Sequence, residues 1–254
     1  MNQKPGTRNR KASDRGIYRR LVHGRLQFSR VTVQETDLGI YGASDLAAPA
    51  RELVLEQRGH LEGYIRRHGD FARSLIPLAQ DDFAPPLVRE MLRAGELAHV
   101  GPMAAVAGAM AQQVGRGLLE HVDEVIVENG GDLFIQSANP LTIAIFAGQS
   151  PLSLQIGLKT SPALDSMAVC TSSGSVGHSL SLGRADAVCV VGPSCPLADA
   201  AATAIGNRVR RASDMSAAIQ WGRGIPGVEG ILVIMGAETA MWGSIKLTRL
   251  SAKG

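Results

Sequence analysis

Residues 125–133, VIVENGGDL, constrain this chain more than any other stretch. A short apolar run, Val125-Ile126-Val127, passes straight into Glu128-Asn129-Gly130-Gly131-Asp132. Apolar runs on both sides of an Asn-Gly pair are the strongest short-range signal for a β-hairpin. The same residues admit a second reading. Two positions without side chains let a ligand approach the backbone, with Asp132 placed to hold it. The residues alone leave both readings open.

The flanking chain supplies the context. Alternation in 16–22 and 25–42, with Gly24 between them, predicts an antiparallel hairpin. Ser44-Asp45 offers an N-cap for a long surface helix over 46–68, with Leu53, Leu55, Leu61 and Ile65 as its apolar positions. A helical fragment is expected within 70–86, stopped by Ala84-Pro85-Pro86, and a short helix over 87–94. Residues 103–122, MAAVAGAMAQQVGRGLLEHV, carry no charge before Arg116 and small residues on every face, which predicts a buried helix.

Beyond the glycines, apolar runs at 133–136, 141–147 and 154–158 predict an antiparallel meander. Residues 168–181, AVCTSSGSVGHSLS, read as a hydroxyl-rich loop whose backbone N–H groups suit an anion. DAVCVV at 186–191 is a buried strand feeding a helix over 197–207, on which Asp199 and Thr203 share a face at i, i+4. Runs at 231–234 and 244–250 are expected to pair and close the sheet. Neither GxGxxG after a strand nor GxxxxGK[ST] occurs, which disfavours a Rossmann fold and a P-loop.

Composition narrows the classes. The aromatic content of 4% disfavours a stacking platform for single-stranded nucleic acid. No apolar run reaches the roughly 18 residues of a membrane helix, and no apolar leader segment is visible. Cys170, Cys189 and Cys195 form no CxxC pair and read as reduced thiols of a cytoplasmic protein. Nine of the 26 Lys and Arg lie in residues 1–30 against one acidic residue, so the remainder is mildly acidic, and residues 1–15 read as a basic arm before the domain over 16–254. Such an arm is more commonly a solvated tail than a nucleic-acid contact.

Order and spacing of the motifs over about 100–210 resemble the ApbE-like superfamily, whose best-known members are flavin transferases. The family's small-residue helix of the type AIAKGYA is matched by Ala105–Ala111, AVAGAMA. Its N-x-GGD strand end is matched by Glu128–Asp132, its TSG loop by Thr171-Ser172-Ser173-Gly174, and its ADALATAL helix by ADAAATAI at 198–205. The resemblance implies an α+β fold of antiparallel sheets packed with helices (T-fold-type), forming a single domain over 16–254. It also implies transfer of FMN, taken from FAD, to a threonine of an acceptor protein with Mg2+. Carried over by position, Mg2+ would be held by Asp199, Thr203 and a backbone carbonyl near Ala105. The nucleotide or flavin would lie against Asn129, Gly130, Gly131, Asp132, Thr171, Ser172, Ser173, Gly174 and Ser175.

The chain departs from the family at three places. Glu128 stands where the family has asparagine, Gly108 stands where it has lysine, and its H-x-x-D-P-x-T-G segment is absent. His178 is the one histidine in the motif loops suited to act as base. Cys170 with His178 lacks a third orienting residue, so Cys170 reads as core rather than nucleophile. A non-catalytic flavin or nucleotide carrier is therefore the alternative to a transferase. An RNA-associated protein using the basic arm is a third, weaker reading.

Overall fold

The computed structural model describes residues 26–173 and 183–250, the side chain of Leu164 apart. Two sheets and a helical layer make an α+β architecture. The strands are β1 (Gln27–Val33), β2 (Thr36–Gly42), β3 (Val125–Asn129), β4 (Asp132–Ser137), β5 (Thr142–Ala144) and β6 (Ile156–Lys159). They continue with β7 (Ala163–Ser172), β8 (Ala187–Gly192), β9 (Gly230–Met235), β10 (Glu238–Gly243) and β11 (Leu247–Arg249). The α-helices are α1 (Ala47–Arg67), α2 (Pro86–Ala98), α3 (Val106–Leu118), α4 (Cys195–Gly206) and α5 (Met215–Gly222). A 3-10 turn, Pro102–Ala105, leads into α3.

The large sheet has the order β1-β2-β3-β4-β7-β8-β9-β10, and each neighbouring pair is antiparallel. Side chains alternate across it. Val125, Val127, Phe134, Ala168, Cys170, Val188 and Val190 face the helices. Ile126, Leu133, Ile135, Val169, Cys189 and Val191 face the small sheet β11-β6-β5. Central strand β8 is therefore buried along its whole length, which explains why AVCVVG lacks the polar alternation of a half-exposed strand.

Several expectations need correction. The first hairpin turns at Gln34-Glu35, not at Gly24, and 16–22 lies outside the described residues. Arg30 and Thr32 of β1 both donate to Asp37 of β2, which fixes that register at the turn. In α1 the buried stripe is Ala50, Val54, Leu61 and Tyr64, and Leu55 is about half exposed. The N-cap of α1 is Leu46, with no side-chain cap, rather than Ser44 or Asp45; Asp45, one residue earlier, accepts from the Ala47 N–H at 3.0 Å. Residues 70–85 form turns rather than a helix, in a segment interrupted by Pro77 and Pro85.

The meander also breaks. After a register shift between Ile135 and Ser137, β4 pairs with β7, while β5 and β6 leave to build the small sheet. The reason is burial: Ile145 and Leu158 cover the apolar face that the large sheet turns away from its helices. For the same reason β11 joins β6, and β9 pairs with β10 instead of the C-terminal strand. Helix α5 lies outside the elements the sequence pattern predicts; it packs Met215, Ala218 and Ile219 onto the core.

Candidate functional site

The site forms where the β3–β4 turn and the end of β7 meet the starts of α3 and α4. Asn129 and Asp132 pair across a two-residue connection, Gly130-Gly131, with φ of 66° and 117°. Positive φ at both central residues suits glycine and matches the twist of a tight hairpin. The hairpin reading holds, and nothing lies within 4 Å of a Cβ built on Gly130, so the turn is open on that side.

Strand alternation sorts the hydroxyls and carboxylates. Asn129, Asp132, Cys170 and Ser172 share the helix-facing side with Val127 and Phe134. Thr171 points to the opposite face, where its hydroxyl meets Cys189, so its side chain does not join the cluster. Its backbone does, because the Thr171 N–H donates to the Asp132 carboxylate. The expected loop at 168–181 is thus strand as far as Ser172. Ser173 is half-buried and already partnered. Gly174, Ser175 and His178 lie outside the described residues.

Asp199 holds an unexpected place. Helix α3 has Ala105 as its N-cap, with no side-chain cap of its own. The Asp199 carboxylate supplies one in trans: Oδ2 accepts from the Gly108 N–H at 2.9 Å, and the Ala107 N–H also donates to it. From the other side Asn129 Nδ2 donates to the Ala107 carbonyl at 3.1 Å. The first turn of α3 is therefore clamped between α4 and the glycine hairpin. Those N–H groups would otherwise be orphan donors at a helix start. The acid acts on the dipole of a neighbouring helix, and at Ala107 and Gly108 this anion position is filled by protein.

Gly108 is required by that contact. A Cβ there would lie 2.4 Å from the Cys195 carbonyl oxygen and 2.9 Å from Asp199 Cβ. The lysine of the related motif has no room at this position, for a reason of helix packing.

Electrostatics make the site unusual. Burial pushes the Asp132 carboxyl well above the usual range, and the nearby Asp199 charge pushes it further, against donation from Cys170 and Thr171. Burial likewise pushes Asp199 up to about 7, against the two α3 N–H groups. Three of the four buried side-chain polar atoms without a partner among the described residues are Asp132 Oδ1, Ser172 Oγ and Thr203 Oγ1. The fourth, Arg58 Nε, belongs to a guanidinium whose other nitrogens are bonded to Gln34, Glu35, Thr36 and Glu62. Unpartnered buried polar atoms are rare in folded proteins, and these three, on β4, β7 and α4, call for an explanation.

A pH dependence follows. Raised carboxylate pKa values mean the folded state binds protons more tightly than the unfolded one. Their contribution to stability is full below the ordinary carboxylate range and is lost as pH rises through about 7. The metal-free protein is expected to lose a few kcal/mol of stability between pH 5 and pH 8, since each tenfold difference in proton affinity between the two states is worth about 1.4 kcal/mol. Urea unfolding across that range checks this; a flat profile would show that neither carboxyl is perturbed.

Against solved structures the fold is that of the flavin transferase ApbE. The Vibrio cholerae enzyme, in a histidine-to-glycine variant, superposes with a TM-score of 0.55 at 13% identity, covering 87% of this chain and 98% of that one. The ApbE protein of Thermotoga maritima gives a TM-score of 0.55 at 14% identity, covering 86% and 97%. The chain belongs to the family described as AbpE bacteria, whose model matches residues 19–224. It is 35% identical over 222 residues to a UPF0280 protein of Methanococcus aeolicus, covering 85% of this chain and 90% of the relative. A UPF0280 protein of Methanosarcina barkeri is 38% identical over 207 residues, covering 80% and 81%. No helix among the described residues is long and apolar enough to cross a membrane.

Proposed function

We propose that this protein binds a flavin or related nucleotide through Mg2+, at a site bounded by the glycine hairpin, the end of β7 and α4. The observation that carries the reading is the set of buried, unpartnered oxygens at Asp132, Ser172 and Thr203. All are hard oxygen donors, the class Mg2+ prefers, and one belongs to the raised carboxyl of Asp132. Among the described residues no three His, Cys, Asp or Glu side chains gather as a ligand set. A cation here would therefore rest on Asp199, Thr203 and Asp132, with remaining positions left for carbonyl, water and phosphate oxygens. When bound, Mg2+ neutralises charge on ligand phosphates.

The chain's own groups do the rest. Gly130 and Gly131 admit the ligand to the backbone, and Ser172 offers a hydroxyl donor. Asn129 holds the first turn of α3 in place beneath them. Transfer of FMN to an acceptor-protein hydroxyl is the reaction the fold makes natural. Gly108 favours a second reading, a carrier that binds without turnover, because the cation suited to phosphate is missing and cannot be accommodated. Three free cysteines fit a reducing, cytoplasmic setting for either.

Titration of FAD, FMN, ATP and GTP with and without Mg2+ tests the site, with Thr203→Val as the diagnostic variant. Valine keeps the shape and removes the orphan hydroxyl. The variant is expected to match or exceed the parent in stability, by up to about 1 kcal/mol. It should also weaken Mg2+-dependent binding roughly tenfold, or about 1.4 kcal/mol. Equal affinity with and without Mg2+ for every ligand would overturn the reading.

A further inference from the structure

Beneath the proposed ligand site lies a pair of thiols that this reading does not use. Cys170 on β7 and Cys195, the first residue of α4, have their Sγ atoms 3.6 Å apart, and both are fully buried. Cys170 Sγ also donates to the Cys195 carbonyl oxygen at 3.4 Å, and it lies beside Asp132. The third thiol, Cys189, points to the opposite face of the sheet. We propose that Cys170 and Cys195 are a latent disulfide, closed by an oxidant of the hydroperoxide class, and that closure acts on the Asp132–Asp199 site.

The reaction balances simply. The two thiols give up two electrons and two protons as the S–S bond forms. The O–O bond of the hydroperoxide breaks, and an alcohol and a water leave. Bonded sulfurs are roughly 2.0 Å apart, so the first turn of α4 must draw toward β7. Two consequences are built in. The Cys195 carbonyl loses the Cys170 S–H donor beside Asp132. The Cys195 carbonyl, which already lies against Gly108, moves relative to the α3 turn that Asp199 caps. The effect on ligand binding rests on the proposed function, whereas the disulfide itself does not.

The thiols are not activated. Burial pushes both up, and Asp132 and Asp199 add to this at each, with Glu90 adding at Cys195.

The full chain, folded and in 6 M guanidinium, is treated with hydrogen peroxide, and disulfides are mapped by mass spectrometry without reduction. The folded protein is expected to give the 170–195 crosslink and to drop from three titratable thiols to one. The unfolded chain is expected to favour 189–195, the pair closest in sequence. Cys195→Ser abolishes the folded-state crosslink, and Cys189→Ser leaves it intact. The proposal is overturned if the folded protein keeps three thiols, oxidises singly, or gives the same crosslinks as the unfolded chain. Ligand binding is measured on the reduced protein first. Failure there removes the proposed function, and the crosslink map still decides the disulfide. Where the reduced protein binds, at least tenfold weaker binding after oxidation is expected, and unchanged affinity overturns the coupling.

Discussion

Asp199→Asn weakens Mg2+-dependent ligand binding at least about 100-fold with no loss of stability, and Asp199→Ala loses binding and stability together. The two variants separate two roles of one carboxylate. Its Oδ2 accepts from the Gly108 N–H, and the group also takes the Ala107 N–H. Asparagine keeps an acceptor oxygen for that cap and sheds the charge. It also relieves the repulsion that raises Asp132. Its thermal midpoint above pH 7 is therefore expected to equal or exceed that of the parent, with the pH dependence flattened. Affinity in Mg2+ should fall at least about 100-fold, or roughly 2.7 kcal/mol.

Alanine removes the acceptor as well. Two buried N–H groups at the start of α3 are left without a partner, at about 1–3 kcal/mol each, partly offset by relief of the buried charge. A net loss of roughly 2 kcal/mol is expected, read as a lower urea midpoint at unchanged slope. Retention of full Mg2+-dependent affinity in Asp199→Asn would mean that the carboxylate is a cap and nothing more.

Gly108→Ala is expected to destabilise the protein although alanine is the better helix former. The substitution gains about 1 kcal/mol of helix propensity. Against this, its Cβ would meet the Cys195 carbonyl carbon at 2.7 Å as well as the oxygen at 2.4 Å. Backbone cannot swing aside as a side chain can, so α3 and α4 must separate. Overpacking of this kind costs about 1–3 kcal/mol, and backbone contact puts this case at the upper end. A net loss of about 2 kcal/mol corresponds to roughly 4–8 °C in the thermal midpoint for a chain of this size. Gly108→Lys, which restores the residue of the related motif, is expected to do worse and to gain no affinity for phosphate. A stable Gly108→Lys protein would show that the helices can part and that the missing cation is a matter of sequence rather than of packing.

Much of the architecture was legible in local pattern. Residues 125–133 declared a strand and a glycine turn, because alternation and Asn-Gly chemistry are local properties. The buried helix α3 followed from a charge-free run of small residues, and the shared face of Asp199 and Thr203 from a spacing of four on α4. What depends on neighbours distant in sequence was not legible. The exit of β5 and β6 to a second sheet depends on which face of the large sheet is left uncovered. The placement of Thr171 away from Ser172 depends on the strand continuing through both.

The tertiary structure alone decided how the site is wired. Asp199 caps a helix that begins 93 residues before it, counting from Val106, and Cys170 meets Cys195 across 25 residues. Neither contact leaves a periodicity, because each arises only when α3, α4 and β7 pack at one point. The sequence by itself specified which residue types stand near the hairpin and on α4. Packing decided that Gly108 must remain bare and that Asp132 and Asp199 share a buried field.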